Sequence, residues 1–130
     1  MRLLAATVLI LAISPAAAAT DPGAPLAAFD FGAYAELVAR PNPGGHAIVF
    51  IPSLVSVLLA AERSRGGPLG EAEVLSFRDR SGAMAVPADN ARRLEEGRGY
   101  RDLDPDRCWQ DWQAQRLELV KPEGNPDALP

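Results

Sequence analysis

Apolar side chains return at helical spacing in three stretches of the chain. The strongest is residues 53–64, where Leu54, Val55, Val57, Leu58 and Leu59 cover more than half of a helix and Ser53, Ser56, Ala60 and Arg63 leave a narrow polar strip. Such a helix is mostly buried and is expected at the centre of the core. Residues 30–40 place Phe31, Tyr34, Leu37 and Val38 on one face and predict a helix, stopped by Pro41-Asn42-Pro43-Gly44-Gly45. The third stretch opens at Asp104-Pro105, an N-cap followed by a proline suited to the first helical position. There Cys108, Trp109, Trp112 and Leu119 share one face, and Arg107, Gln110, Asp111 and Ala114 the other.

Other segments are read from their ends. Gly70 with Glu71 and Glu73 marks a helix start, Arg78 and Arg80 suit its negative end, and Gly82 stops it. Residues 83–86 are short and apolar and end at Pro87. A weaker helix is expected over 88–96, closed by Gly97. Residues 46–51 are rich in branched side chains and read first as a strand, with a helical start as the alternative. The fold class predicted is α+β, predominantly helical. It is a single small domain of four to five helices and one or two short strands.

Residues 1–19 read as a secretory signal peptide. Arg2 supplies the charge, an apolar run of eleven residues follows, Ser14-Pro15 breaks it, and alanines stand at the cleavage positions. Eleven residues fall short of the about 20 that span a bilayer, so no stable membrane insertion is expected after cleavage. Residues 20–28 are expected to be a flexible arm, 29–119 the globular domain and 120–130 a disordered tail. This places the protein in a bacterial periplasm or outside the cell.

The chain carries 130 residues and a net charge of −4, which becomes −5 when Arg2 leaves with the leader. An acidic chain lacks the basic face that nucleic acid requires. Lys121 is its one lysine, which removes Schiff-base chemistry and a phosphate-binding P-loop from the domain. One cysteine, Cys108, and one histidine, His46, allow no internal disulfide and no zinc site of ordinary spacing. Asp102, Asp104 and Asp106 resemble the start of a calcium loop, but Arg107 stands where that loop needs glycine and Gln113 where it needs glutamate. No metal and no cofactor is expected. Cys108 reads as a buried hydrophobe rather than a nucleophile, because it shares the tryptophan face.

Two features stand out. Glu62 falls on the apolar side of its helix, beside Val55 and Leu58, and Arg78 falls between Val74 and Leu75 on the next. The expectation is that Glu62 and Arg78 pair at the edge of the core, the alternative being that both reach water along their stems. The second is Arg98, Tyr100, Arg101 and Asp102, close in sequence to Trp109 and Trp112. Arginine, tyrosine and tryptophan dominate protein interfaces, and tryptophans also stack on sugars. The competing reading makes Trp109 and Trp112 core and Tyr100 their lid.

The function expected is a small exported binding or interaction protein without catalysis, such as an inhibitor or accessory subunit of an envelope or extracellular protein. The alternatives are a cell-wall hydrolase using paired carboxylates drawn from Glu62, Glu71, Glu73 and Asp79, or a glycan-binding module using Trp109 and Trp112. The sequence fixes no oligomeric state.

Overall fold

A computed structural model describes residues 21–119. The expected leader and tail lie outside the described residues. The chain is a single α+β domain of five α-helices and three strands among those residues. In order these are β1 (Phe31–Ala33), α1 (Tyr34–Val38), β2 (Ala47–Phe50), α2 (Leu54–Arg65), α3 (Glu71–Arg80), β3 (Gly82–Val86), α4 (Ala88–Arg98) and α5 (Cys108–Leu119). A short 3₁₀ turn, Pro105–Arg107, leads into α5.

Helices with clear end signals form where expected. The carboxylate of Glu73 accepts from the Gly70 amide at 3.3 Å, which starts α3. Asp104 accepts from the Asp106 amide at 2.9 Å and opens the 3₁₀ turn. The weaker helix runs past Gly97 to Arg98, and Gly99 closes it at φ 75°, a conformation that suits glycine.

The helix expected over 30–40 differs in its first half, which is strand. Phe31, Gly32 and Ala33 pair antiparallel with Met84, Ala83 and Gly82. Glycine and the pairing offered by β3 outweigh a helical spacing of only four apolar residues. Residues 83–86 supply most of that partner. β3 is the central strand, with β1 on one side and β2 antiparallel on the other.

Alternation along the strands sorts their side chains between two faces. Ala83, Ala85 and Phe50 point into the core with Leu54, Leu58, Val74, Cys108 and Trp112. The helices α2, α3 and α5 pack together around this cluster, and α1 lies against α3 and the sheet. The segment expected as a flexible arm runs against the domain. Leu26 is buried and its amide donates to the Pro41 carbonyl at 2.8 Å. Arg40 donates to the carbonyls of Ala24 at 2.8 Å and Pro25 at 3.0 Å, and to Asp30 at 2.8 Å.

Candidate functional site

The loop that leaves α4, where Arg98, Tyr100, Arg101 and Asp102 are expected to bind a partner, turns the polar atoms of Arg98 and Asp102 inward. Helix α2 has no acidic residue in its first turn, and its N-cap residue Ser53 bonds to Ser56 at 2.6 Å instead of to the helix amides. Asp102 supplies the missing acceptor. Its carboxylate takes the amides of Leu54 at 2.7 Å and Val55 at 3.0 Å, and its own neighbour Leu103 at 2.8 Å. A carboxylate at a helix N-terminus is favoured both by these bonds and by the helix dipole. Tyr100 shares a hydrogen bond with Ser53 at 2.8 Å. That bond holds the phenol below its ordinary pKa. Arg98 donates to the Phe50 carbonyl at 2.6 Å and approaches Asp102 at 4.0 Å.

Arg98, Tyr100 and Asp102 therefore form a latch between α4, the end of β2 and the start of α2. Arg101 faces water, with its side chain 88% exposed and 4.0 Å from Glu95, and the Tyr100 ring is exposed beside it. Beside the latch lies a cleft of about 340 Å³, lined on one side by Ile48 and Val49 and on the other by Ala91, Leu94 and Arg98.

The tryptophans do not form a sugar platform. Trp112 is 0% exposed in the core, and Trp109 packs half-buried against it. The indole N–H of Trp112 has no acceptor among the described residues. Cys108 is buried as expected, and desolvation pushes its thiol pKa up against the opposing pull of Arg78.

The expected Glu62–Arg78 pair is not formed. Glu62 is buried, as its place on the apolar face implied, but its partner is Arg116 of α5, at 2.9 Å from Nε and 2.8 Å from Nη2. Arg78 instead pairs with Asp79 at 2.9 Å and donates to the Pro105 carbonyl at 3.0 Å. The reason is topological: α5 lies against both α2 and α3 and brings Arg116 to Glu62. Glu73 pairs with Arg65. Three of the four candidate acids for paired-carboxylate chemistry are thus each held by an arginine. Among the described residues no group of three or more His, Cys, Asp or Glu is placed to hold a metal ion.

A different surface is open. Phe31, Met84 and Val49 stand side by side across the three strands, on the face opposite Ala83, Ala85 and Phe50. None of the three belongs to the core cluster, and Phe31 is 58% exposed. Its ring lies over Gly82, where a Cβ would come within 2.9 Å of it, so only glycine admits this placement. Ile51 extends the same face and is also exposed. The signal for this face was present in the small-large alternation of Ala83, Met84, Ala85 and Val86, which is too short to announce a strand by itself.

No helix among the described residues is long and apolar enough to cross a membrane. The chain gives no significant match to a protein family, a curated protein or a solved structure.

Proposed function

We propose that the protein is an exported interaction protein that works without catalysis and holds an envelope or extracellular partner against the open face of its sheet. The contact residues are Phe31, Val49, Ile51 and Met84. One observation carries this reading: the row Phe31–Met84–Val49 is apolar and lies off the core, with Phe31 exposed and Met84 and Val49 half-buried, while Ala83, Ala85 and Phe50 on the opposite face of the same strands are buried. An antiparallel sheet commonly leaves one face to water, but that face is then polar, and an apolar one marks a candidate interaction site. The latch residues Arg98, Tyr100 and Asp102 support the surface from behind by fixing the end of β2. Arg101 and the exposed ring of Tyr100 are the members of that segment free to touch a partner at its rim.

The test is capture from envelope and periplasmic extract by the chain beginning at Thr20, with Met84→Lys and Arg101→Ala as comparisons. Retention of a defined protein by the wild type, its loss with Met84→Lys at unchanged circular dichroism, and at most a several-fold weakening with Arg101→Ala are expected. Equal capture by wild type and Met84→Lys would sink the open-face reading.

A further inference from the structure

The outer edge of β2 is unpaired in its middle. The Ile51 amide donates to the Gly82 carbonyl at 3.0 Å. Main-chain groups of alternate residues point to opposite sides of an antiparallel strand, so Ile48 and Phe50 turn their N–H and C=O away from β3. Arg98 takes the Phe50 carbonyl at 2.6 Å, which places the end of α4 on that side. The amide and carbonyl of Ile48 and the amide of Phe50 have no hydrogen-bond partner among the described residues. Both residues line the cleft of about 340 Å³, whose far wall is Ala91, Leu94, Glu95 and Arg98 and whose end is residues 100–105.

The charges along this cleft are unevenly matched. Three carboxylates line it, and each is engaged elsewhere. Asp102 gives both oxygens to the amides of Leu54, Val55 and Leu103. Asp104 accepts from the Asp106 amide, and Glu95 stands at the rim, 4.0 Å from Arg101. Arg98 is different. Its side chain is only 18% exposed, and its one hydrogen bond among the described residues is to the Phe50 carbonyl, through Nη2. The nearest carboxylate oxygen, on Asp102, lies 4.0 Å away, beyond hydrogen-bond reach. The remaining N–H groups of a guanidinium point in a fixed fork that matches a carboxylate.

From the free strand edge and the free guanidinium at its end we infer that the cleft binds the C-terminal end of an extended peptide, which adds a strand to β2 and sets its terminal carboxylate against Arg98 and the Phe50 amide. The carboxylate lies at the Phe50 end, so the peptide runs parallel to β2. In a parallel ladder Ile48 then donates to one peptide carbonyl and accepts from the amide two residues further on, and the Phe50 amide donates to the terminal group. All three open main-chain groups are satisfied at once. Each feature removes a rival occupant. A free fatty or aromatic acid would meet Arg98 and leave Ile48 unpaired. A segment from the middle of a chain would pair with Ile48 and bring no terminal anion to Arg98. Strand β2 is about 13 Å long, so the ligand engages about three residues. Ala91 and Leu94 give the wall opposite the strand an apolar surface, which suits apolar side chains near the peptide's end.

This goes beyond the proposed function, whose contact is the open face of the sheet and not this edge. The test titrates N-acetylated tripeptides that vary in their last residue, each as the free acid and as the C-terminal amide, into the ¹⁵N-labelled chain from Thr20, up to about 1 mM. Saturable binding of free acids with apolar last residues is expected, with the largest shifts at the Ile48 and Phe50 amides. The matching amides should bind about ten-fold or more weakly, because the charge-assisted bond to Arg98 is lost. Ala91→Leu fills the cleft from the exposed helix α4, which buries none of its residues. That variant should keep the melting temperature of the wild type and lose the binding. Four results would each overturn the inference: no binding at the highest concentration, equal binding of acids and amides, shifts centred on Phe31 and Met84 instead of Ile48 and Phe50, or wild-type binding by Ala91→Leu.

Discussion

Phe29 is the one non-glycine residue among those described with a left-handed backbone, at φ 70°. A bulky side chain there costs about 1–2 kcal/mol, yet the ring is exposed and returns nothing to the core. Replacing it by glycine relieves that strain at a cost of about 0.5–1 kcal/mol in chain entropy. Phe29→Gly is therefore expected to be neutral or to stabilise the fold by up to about 1 kcal/mol in urea titration, where removal of an ordinary packed phenylalanine would cost several times more. Asp30, its neighbour, makes a pH prediction. The Ala27 amide, and then Arg40, hold its carboxyl below the usual aspartate range. A depressed folded pKa gives stability that is present above the unfolded value and lost as pH falls through the folded one. Asp30→Asn should be less stable than wild type at neutral pH, and the gap should close below about pH 4. A gap independent of pH would mean that the charge is not what matters. Single residues were unevenly legible. That Glu62 faces the core followed from its helical position; that Arg116 meets it did not, because no local pattern says which distant helix packs alongside.

At the scale of elements, legibility followed length and end chemistry. The helices α2 and α3 carry their own stop signals and were readable to within a residue or so. Strand β1 was not, since its three residues hold together only through β3, far along the chain. The latch was half legible: Arg98, Tyr100 and Asp102 stood out as a cluster, but their inward turn depends on α2 lacking its own acidic cap. That lack is visible in Leu54, Val55, Ser56 and Val57 and could have pointed to a carboxylate from elsewhere. Asp102→Ala leaves two helix-start amides without an acceptor and should cost about 2 kcal/mol. Asp102→Asn, which keeps one acceptor, should cost about half as much. Chemical denaturation with an unchanged slope checks both, and a loss under about 0.5 kcal/mol for Asp102→Ala would mean that water serves those amides equally well.

At the scale of the whole molecule, the core gathers on one side of the sheet and Phe31 and Ile51 stand exposed on the other, while Leu117 and Leu119 are exposed on α5. That asymmetry could not be read from composition, since it depends on which strand face the helices choose to cover. It also grades the molecule in stability. Helix α4 buries none of its residues and touches chiefly β2, so it is joined to the rest mainly by the Pro87 turn and the latch. An element with so little burial opens independently of the core. Its backbone amides should exchange with solvent long before those of α2, and Arg92-Arg93 should be the first bond cut by a trypsin-like protease, with the latch at Arg98 to Asp102 still holding the downstream piece in place. Under protease attack, the survival time of the intact chain is then set by the breathing of this one helix, and not by the unfolding of the core.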